Sequence, residues 1–489
     1  MPRPPLRLFD LAEELILAII EQIDSSDALC ALARTSPRLQ SLTEPYIYSD
    51  IFIRTGDETR NLSNLFTKRI ERAWAVQNLT VRYVVDDENG MEVLNVWIQH
   101  MRKLRTLFIE TPCCNDTFWH VEGNPWESAG RIDFVRLFQL AVTPPISSMS
   151  PPILQQLNSL NLHSHSTGDG NARYNFDRAA IIFTHPTLRT LKLSCFDIEP
   201  DIATLDFLQN KSKTSPLTSL TFEECNVSIA GLEILLSIPK ALAHLDVGER
   251  MYHARRRPFV HLSHDLGHFF RALAQQADSL THLSHSVVNT APRQHEPDIH
   301  SDYSPGFSSL TALHNLSLSP ASILKRHLFA LGGPPNLEHL RFIHFYSAVH
   351  YSDPQLELAH LTHLVLKSGH LPPSLCSVTL VTLPGLTADA LSNYWSRAEN
   401  RMQLYKFAMG MRRRGMGLEI CVVKKNGNFI PPFLYGEELP VEVRVYASET
   451  PMWFADMCFP GIEMEAEVEG EEGVGAGAGA ASGAGGGLG

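Results

Sequence analysis

The pattern Leu-x-x-Leu-x-Leu, with other apolar residues standing in for leucine, recurs through most of this chain. It runs through Val76-Leu79-Val81, Leu104-Leu107-Ile109, Leu157-Leu160-Leu162, Leu188-Leu191-Leu193 and Leu217-Leu220-Phe222. It continues at Leu242-Leu245-Val247, Leu313-Leu316-Leu318, Leu337-Leu340-Phe342 and Leu361-Leu364-Leu366, with a weaker copy at Leu280-Leu283-His285 and a last one at Leu375-Val378-Leu380. One copy is too short to bury its own apolar edge, so neighbours must stack into a continuous core. Chance alone also produces such triplets in leucine-rich helices, but the spacing argues otherwise. Leu188, Leu217 and Leu242 are 29 and 25 residues apart, and Leu313, Leu337 and Leu361 are 24 and 24 apart.

These spacings and the triplet resemble leucine-rich repeats, whose units run about 20–29 residues and each supply a strand and a return segment. The fullest unit is LTSLTFEECNVSIAGLEILL, from Leu217 to Leu236. Cys225 stands where that family places Asn or Cys, so the resemblance puts its side chain inside the turn after the strand. A helix is expected from about Ile229, with Leu232, Leu235 and Leu236 facing inward. The array is irregular. Leu104 and Leu157 are 53 residues apart, room for a missed repeat or a long loop. Asp116 to Gly130, Ser164 to Arg173 and Pro292 to Gly306 read as loop insertions, being rich in Gly, Asn, Ser and charge. His285 occupies a position that should be apolar, which makes its repeat suspect.

Residues 8–50 have a different period. Leu15, Ile16, Ile19, Ile20 and Ile23 follow i, i+3, i+4, i+7, i+8 spacing, predicting a helix from about Ala12 to Ile23 with Asp10 as cap and Glu13 and Glu14 in its first turn. Asp24-Ser25-Ser26-Asp27 caps a second helix, Ala28 to Ala33, and Pro37 opens a third, where its missing N–H costs nothing. Leu39 and Leu42 then face back onto the first two. Three short helices cannot bury all of this apolar surface among themselves. Two readings stand at this point: a partner site made by the leftover apolar patch, or a cap over the repeats.

The order Leu11, Glu14, Leu15, Ile19, Ile23, Asp24, Asp27, Leu29, Leu32, Ala33, Ser36, Arg38, Leu39 and Leu42 resembles an F-box. Glu44-Pro45-Tyr46-Ile47-Tyr48 is similar to the tail that follows that module. Ala12 stands where the family has proline, a departure at a position that touches the adaptor. The resemblance implies binding to a Skp-type adaptor in a cullin ligase complex. The residues it assigns to that contact are Leu11, Ala12, Glu14, Leu15, Ile19, Ile20, Leu29 and Leu32.

The expected fold class is therefore α/β: a three-helix F-box-like module over 8–50, then an irregular leucine-rich-repeat solenoid over 51–385 with parallel strands on its concave face. A capping region is expected over 386–460, with helical composition from Thr387 to Arg414, strands at Leu418 to Lys424 and Val441 to Tyr446, and a turn at Lys425-Asn426-Gly427-Asn428. From Glu463 the composition turns acidic and then Gly/Ala-rich, and residues 461–489 are expected to be disordered.

Six acids, Glu463, Glu465, Glu467, Glu469, Glu471 and Glu472, supply half of the net charge of −12. Nothing in the balance supplies the cationic excess that nucleic acid binding needs. Asp10, Glu13 and Glu14 interrupt the first apolar run, as a signal peptide does not, and no apolar stretch is long enough for a membrane span. The eight cysteines are scattered without a CxxC pair, which reads as free thiols in a reducing compartment. A cytoplasmic or nuclear protein is expected, with no membrane and no nucleic acid partner.

No P-loop, GxGxxG, HExxH, GxSxG or EF-hand loop is present. His264 and His268 share a helix face, but surface pairs at this spacing are usually unliganded, so neither metal nor cofactor is expected. Arg255-Arg256-Arg257 and Arg412-Arg413-Arg414 read as solvated loops or helix ends before anionic contacts. One further pattern concerns strand residues that point away from the leucines. The outward position two after each first leucine holds His244, His282, Asn315, His339 and His363. This ladder is a candidate contact for an acidic target, with a change of binding as imidazole charges below about pH 6.5; the alternative is free drift of outward positions. The expected function is non-catalytic: substrate recognition for a ubiquitin ligase, or else a repeat scaffold for protein interaction.

Overall fold

The computed structural model describes residues 8–82, 90–110, 132–143, 152–163, 176–249, 262, 265–287, 306–319, 321–343, 354–367, 369–382, 398–424, 435 and 439–447. The expected insertions at 116–130, 164–173 and 292–305, the turn at 425–428, Arg255 to Arg257, His264 and the tail from 461 all lie outside the described residues.

At the N-terminal end, α1 (Glu13–Ile20), α2 (Ser26–Ala33) and α3 (Pro37–Ile47) form a small bundle. Ile16, Ile20, Leu29, Leu39 and Leu42 are its buried core, with Leu11, Leu17, Ile23 and Leu32 packed around them. The first helix is shorter than its periodicity suggests. Ala12, whose side chain makes no cap bond, takes the N-cap position in place of Asp10. The other two starts are capped by hydroxyls: Ser25 accepts from the Ala28 N–H and Ser36 from the Leu39 N–H, and Pro37 opens α3.

The chain then enters a sheet. Its strands are β1 (Asp50–Ile53), β2 (Asn78–Arg82), β3 (Thr106–Glu110), β4 (Ser159–His163), β5 (Thr190–Ser194), β6 (Asp197–Ile198) and β7 (Ser219–Val227). They continue as β8 (His244–Glu249), β9 (His282–Ser286), β10 (Asn315–Leu318), β11 (His339–Phe342), β12 (Ser377–Thr382), β13 (Gly417–Lys424) and β14 (Val441–Ala447). Apart from β6, which pairs with one end of β7, they hydrogen-bond in sequence order. Each pair from β1 to β13 is parallel, and β14 closes antiparallel on β13.

Register turns the triplets into columns. Leu79, Leu107, Leu160, Leu191, Leu220, Leu245, Leu283, Leu316, Leu340, Val378 and Leu418 are cross-strand partners in turn. All are buried, as are the leading residues from Val76 to Leu375 of the repeats that form strands. Such columns make one apolar layer that no single repeat could complete.

The return segments begin with α4 (Gly56–Lys68), α5 (Glu71–Ala75), α6 (Leu94–Trp97), α7 (Phe134–Val142) and α8 (Ile229–Ser237). Further on come α9 (Leu266–Ala274), α10 (Ile323–Leu331), α11 (Pro354–Leu366) and α12 (Ala398–Arg413). In the unit read as fullest, Leu232, Leu235 and Leu236 of α8 are buried. The Cys225 Sγ lies 3.4 Å from the Leu193 carbonyl and 3.5 Å from that of Glu223, but Cys225 falls within β7, at the register shift after Phe222, and not in a turn beyond the strand. Across the long interval after Leu104, β3 pairs directly with β4, so no strand comes between them in the sheet, and α7 lies in the described part of that interval.

Two repeat assignments change. Leu361-Leu364-Leu366 is part of α11 and not a strand. Leu358, Leu361, Leu364 and Val365 recur at helical spacing, and all are buried. A triplet spaced by three fits either period, and here the longer helical stripe prevails. The repeat at Leu280, by contrast, is genuine: β9 takes its place between β8 and β10. His285 fills its apolar column slot fully buried, with Nε2 3.0 Å from Glu249 Oε1 and Nδ1 2.7 Å from Ser322 Oγ. A satisfied polar network substitutes for a leucine there.

Among the described residues, no helix is long and apolar enough to cross a membrane.

Candidate functional site

Side chains alternate along a strand, so a column of buried leucines leaves two columns of residues on the opposite face. The first outward column reads Ser219, His244, His282, Asn315, His339 and Ser377 from β7 to β12. The second reads Thr221, Asp246, Ser284, Ser317, Arg341 and Thr379. Between β7 and β10 these columns line a cleft of about 220 Å³, walled by Thr221, His244, His282, Asn315, Ser284 and Ser317 with Asp246 among them.

Four of the five expected ladder residues, His244, His282, Asn315 and His339, share this face. His363 does not. It lies exposed on α11, and Ser377 takes the ladder place beside His339. The ladder is physically coupled. The His244 and His282 rings stack with centroids 4.2 Å apart and 28° between planes. His339 Nδ1 sits 2.8 Å from Ser377 Oγ. Burial lowers the pKa of His282, and repulsion from His244, His314 and His339 adds to that.

Asp246 was not among the sequence candidates. Reading only the first outward position of each repeat passes over the second, although the same alternation places it two residues on. Its carboxyl is half-buried and accepts a hydrogen bond from Ser284. Burial pushes its pKa up to about 6; Ser284 and the Lys192 and His285 charges pull against this, and Glu223 adds to it. Lys192 is itself engaged, its Nζ 2.6 Å from Glu223 Oε2. Arg341 pairs with Glu442, and Arg444 with Glu419 at 3.1 Å. At the β1–β3 end of the same face, Tyr435 packs on Phe52 and Phe108, with centroids 5.2 and 6.2 Å away.

The second candidate surface is α1. Of the eight residues the resemblance assigns to adaptor contact, Ala12, Glu14, Leu15 and Ile19 are exposed, and Leu11 and Leu32 are half-buried. Leu15 is 54% and Ile19 46% exposed, two large apolar side chains four residues apart and so on one face of the helix. Leu8 and Phe9, just before the helix, are also exposed, and the Arg38 guanidinium lies over the Phe9 ring. Ile20 and Leu29 are corrections to the assignment: both are sealed in the bundle core, because the 3.6-residue period turns Ile16 and Ile20 inward when Leu15 and Ile19 face out.

No group of three or more His, Cys, Asp or Glu is placed to hold a metal among the described residues. His268, one member of the suspected pair, contacts Asp265 at the start of α9. The basic run at 412–414 has a local explanation in part. Arg414 donates to the carbonyls of Val365, at 3.1 Å, and Leu366, at the end of α11, while Arg412 and Arg413 are exposed.

No family model matches the chain, and no curated protein matches it.

Proposed function

We propose that this chain is a substrate-recognition adaptor. Its N-terminal bundle acts as an F-box that holds a Skp-type adaptor of a cullin-based, SCF-type ubiquitin ligase, and its sheet acts as a leucine-rich-repeat solenoid that holds a target protein. The observation that carries the reading is the bare apolar strip of Leu15 and Ile19 on a helix whose other face, Ile16 and Ile20, is already buried. An apolar strip beside a filled core has no structural task inside its own chain, and such patches mark partner sites. The face bearing His244, His282, Asn315, His339 and Asp246 supplies the target surface. The mechanism is positioning: a tethered target meets the conjugating enzyme at high effective concentration, and no residue of this chain performs chemistry. Such a complex belongs to the cytoplasm or nucleus.

The test is co-purification of a Skp-type adaptor with the full chain and with a Leu15→Asp, Ile19→Asp variant. The parent is expected to retain the adaptor and the variant to lose it. Equal recovery by both would remove the reading.

A second reading is a repeat scaffold without ligase function, its helices serving only to cap the sheet. It is favoured by the joint between α3 and α5, where Glu44 meets Arg72 at 2.7 Å and Arg69 at 2.8 Å, and by Ala12 at the family's proline position. Failure of the parent itself to bind any Skp-type adaptor would select it.

A further inference from the structure

We propose that the cleft between β7 and β10 is a socket for one basic side chain, an arginine, carried by an extended segment of the target protein. The proposal rests on the reading of this face as the target surface, and it names what that surface recognises.

The first ground is an unbalanced carboxylate. Asp246 lines the cleft, is half-buried, and accepts a hydrogen bond from Ser284; among the described residues no cation is in contact with it. The charged groups nearby are already committed: Lys192 to Glu223, and Arg341 to Glu442. A carboxylate drawn out of water without a counter-charge costs free energy, which an incoming cation returns. The second ground is shape. His244 and His282 stack on each other at the cleft wall, with centroids 4.2 Å apart, which leaves the outer ring faces for a ligand. Flat π faces accept a planar guanidinium by stacking, which a lysine ammonium does less well. The third ground is the remaining lining. Thr221, Asn315, Ser284 and Ser317 offer oxygens for the outer N–H groups of a guanidinium, which carries five donors in fixed geometry. A space of about 220 Å³ admits a single side chain. The ladder of imidazoles taken alone suggested an acidic target; the carboxylate at its centre reverses the sign at neutral pH.

Acid works against the socket through Asp246. The charges acting on Asp246 are Lys192, Glu223 and His285, the last from the buried face of β9, and those acting on His282 are His244, His314 and His339. As pH falls through about 6, Asp246 takes up a proton and loses the charge that holds a cation.

The experiment selects binders to the full chain from a displayed library of random linear peptides near neutral pH. The selected peptide is then synthesised with arginine, with citrulline (the same shape without charge) and with glutamate at the enriched position. The expected result is enrichment of arginine, with the citrulline and glutamate forms weaker by about tenfold or more, the size expected for a charge-assisted pair. Asp246→Asn, which keeps the side-chain shape, is expected to bind the arginine and citrulline peptides alike. A second variant, Ser317→Leu, narrows the cleft while leaving the carboxylate and is expected to lose the arginine peptide too. Thermal unfolding of each variant establishes that it is folded. Binding near pH 5 is expected to be weaker by a similar factor. Selection of acidic or wholly apolar peptides, selection of none, or an Asp246→Asn chain that keeps its arginine preference would each overturn the proposal. Skp-type adaptor recovery, measured on the same preparations, separates the two claims. Lost adaptor with retained arginine preference removes only the ligase reading, and the converse removes only the socket.

Discussion

His285 and His282 are three residues apart, and physical context makes them opposites. His285 is fully buried between Glu249 and Ser322, and the Phe269 ring meets it edge-on. His282 is exposed on the other face of the same strand. Replacing His285 by Ala removes a donor from the buried Glu249 carboxyl and opens a cavity, so we expect a loss of about 3 kcal/mol. His282→Ala should fall within about 0.5 kcal/mol of the parent. Urea unfolding of both variants checks this, and equal costs would contradict it. Two further histidines, His185 and His327, are buried, and burial holds each pKa near 4 against an ordinary 6.5. Their stability contribution is complete above pH 6.5. It falls as pH drops toward 4, because the unfolded chain binds protons that the folded chain refuses. Asp246 acts oppositely: its folded pKa of about 6 lies above the ordinary 3.8, so acid stabilises its folded form across that window. Two protons against one leave a net uptake of about one proton on unfolding between about pH 4 and 6. Unfolding midpoints measured across that range should therefore decline, and Asp246→Asn should steepen the decline toward about two protons. A flat profile for the parent would contradict the assignment.

At the scale of the element, α1 carries two faces with separable roles. Ile16 is 1% exposed and Leu15 54%. Ile16→Ala should cost about 3 kcal/mol through the cavity it leaves. The Leu15→Asp, Ile19→Asp variant should lie within about 1 kcal/mol of the parent, since it meets solvent and loses only helix propensity. Chemical denaturation distinguishes the two, and a large loss in the double variant would mean that the strip is packed in solution. The end of α11 makes a related point. Its terminal carbonyls, orphaned as in any helix, are satisfied by the Arg414 guanidinium arriving from beyond α12. An arginine that reads as part of a basic run is there a helix cap.

For the molecule as a whole, the helical bundle and the sheet are joined covalently and electrostatically. The last bundle helix runs into β1, which pairs with β2, and Glu44 of α3 grips Arg69 and Arg72 at the start of α5. Burial raises the Glu44 pKa, but Arg72, Gln40 and Arg69 outweigh it, and the net shift is downward. That contribution is present above the ordinary value of 4.5 and disappears as pH falls through the folded pKa. Calorimetry of the chain should show bundle and sheet melting in one transition. Glu44→Ala leaves the nearly buried Arg72 uncompensated and should cost about 3 kcal/mol. A bundle that melts separately in the parent would show that the joint is weak.

The triplets, their near-equal spacing and the helical stripe of the first fifty residues determined the strand columns, the bundle core and the bare strip of α1. Those features are written in local periodicity, which a single segment carries in its own side chains. The tertiary structure decided what local periodicity leaves open. Leu361-Leu364-Leu366 became helix because Leu358 and Val365 extend its stripe into the core. His285 was accepted in an apolar column because register brought it to Glu249 and Ser322, more than thirty residues away on either side. Asp246 became an unbalanced charge only when its neighbours on the adjacent strands proved to be hydroxyls and imidazoles. Partners across strands are set by register between distant segments, and a residue's energy depends on those partners more than on its own sequence neighbours.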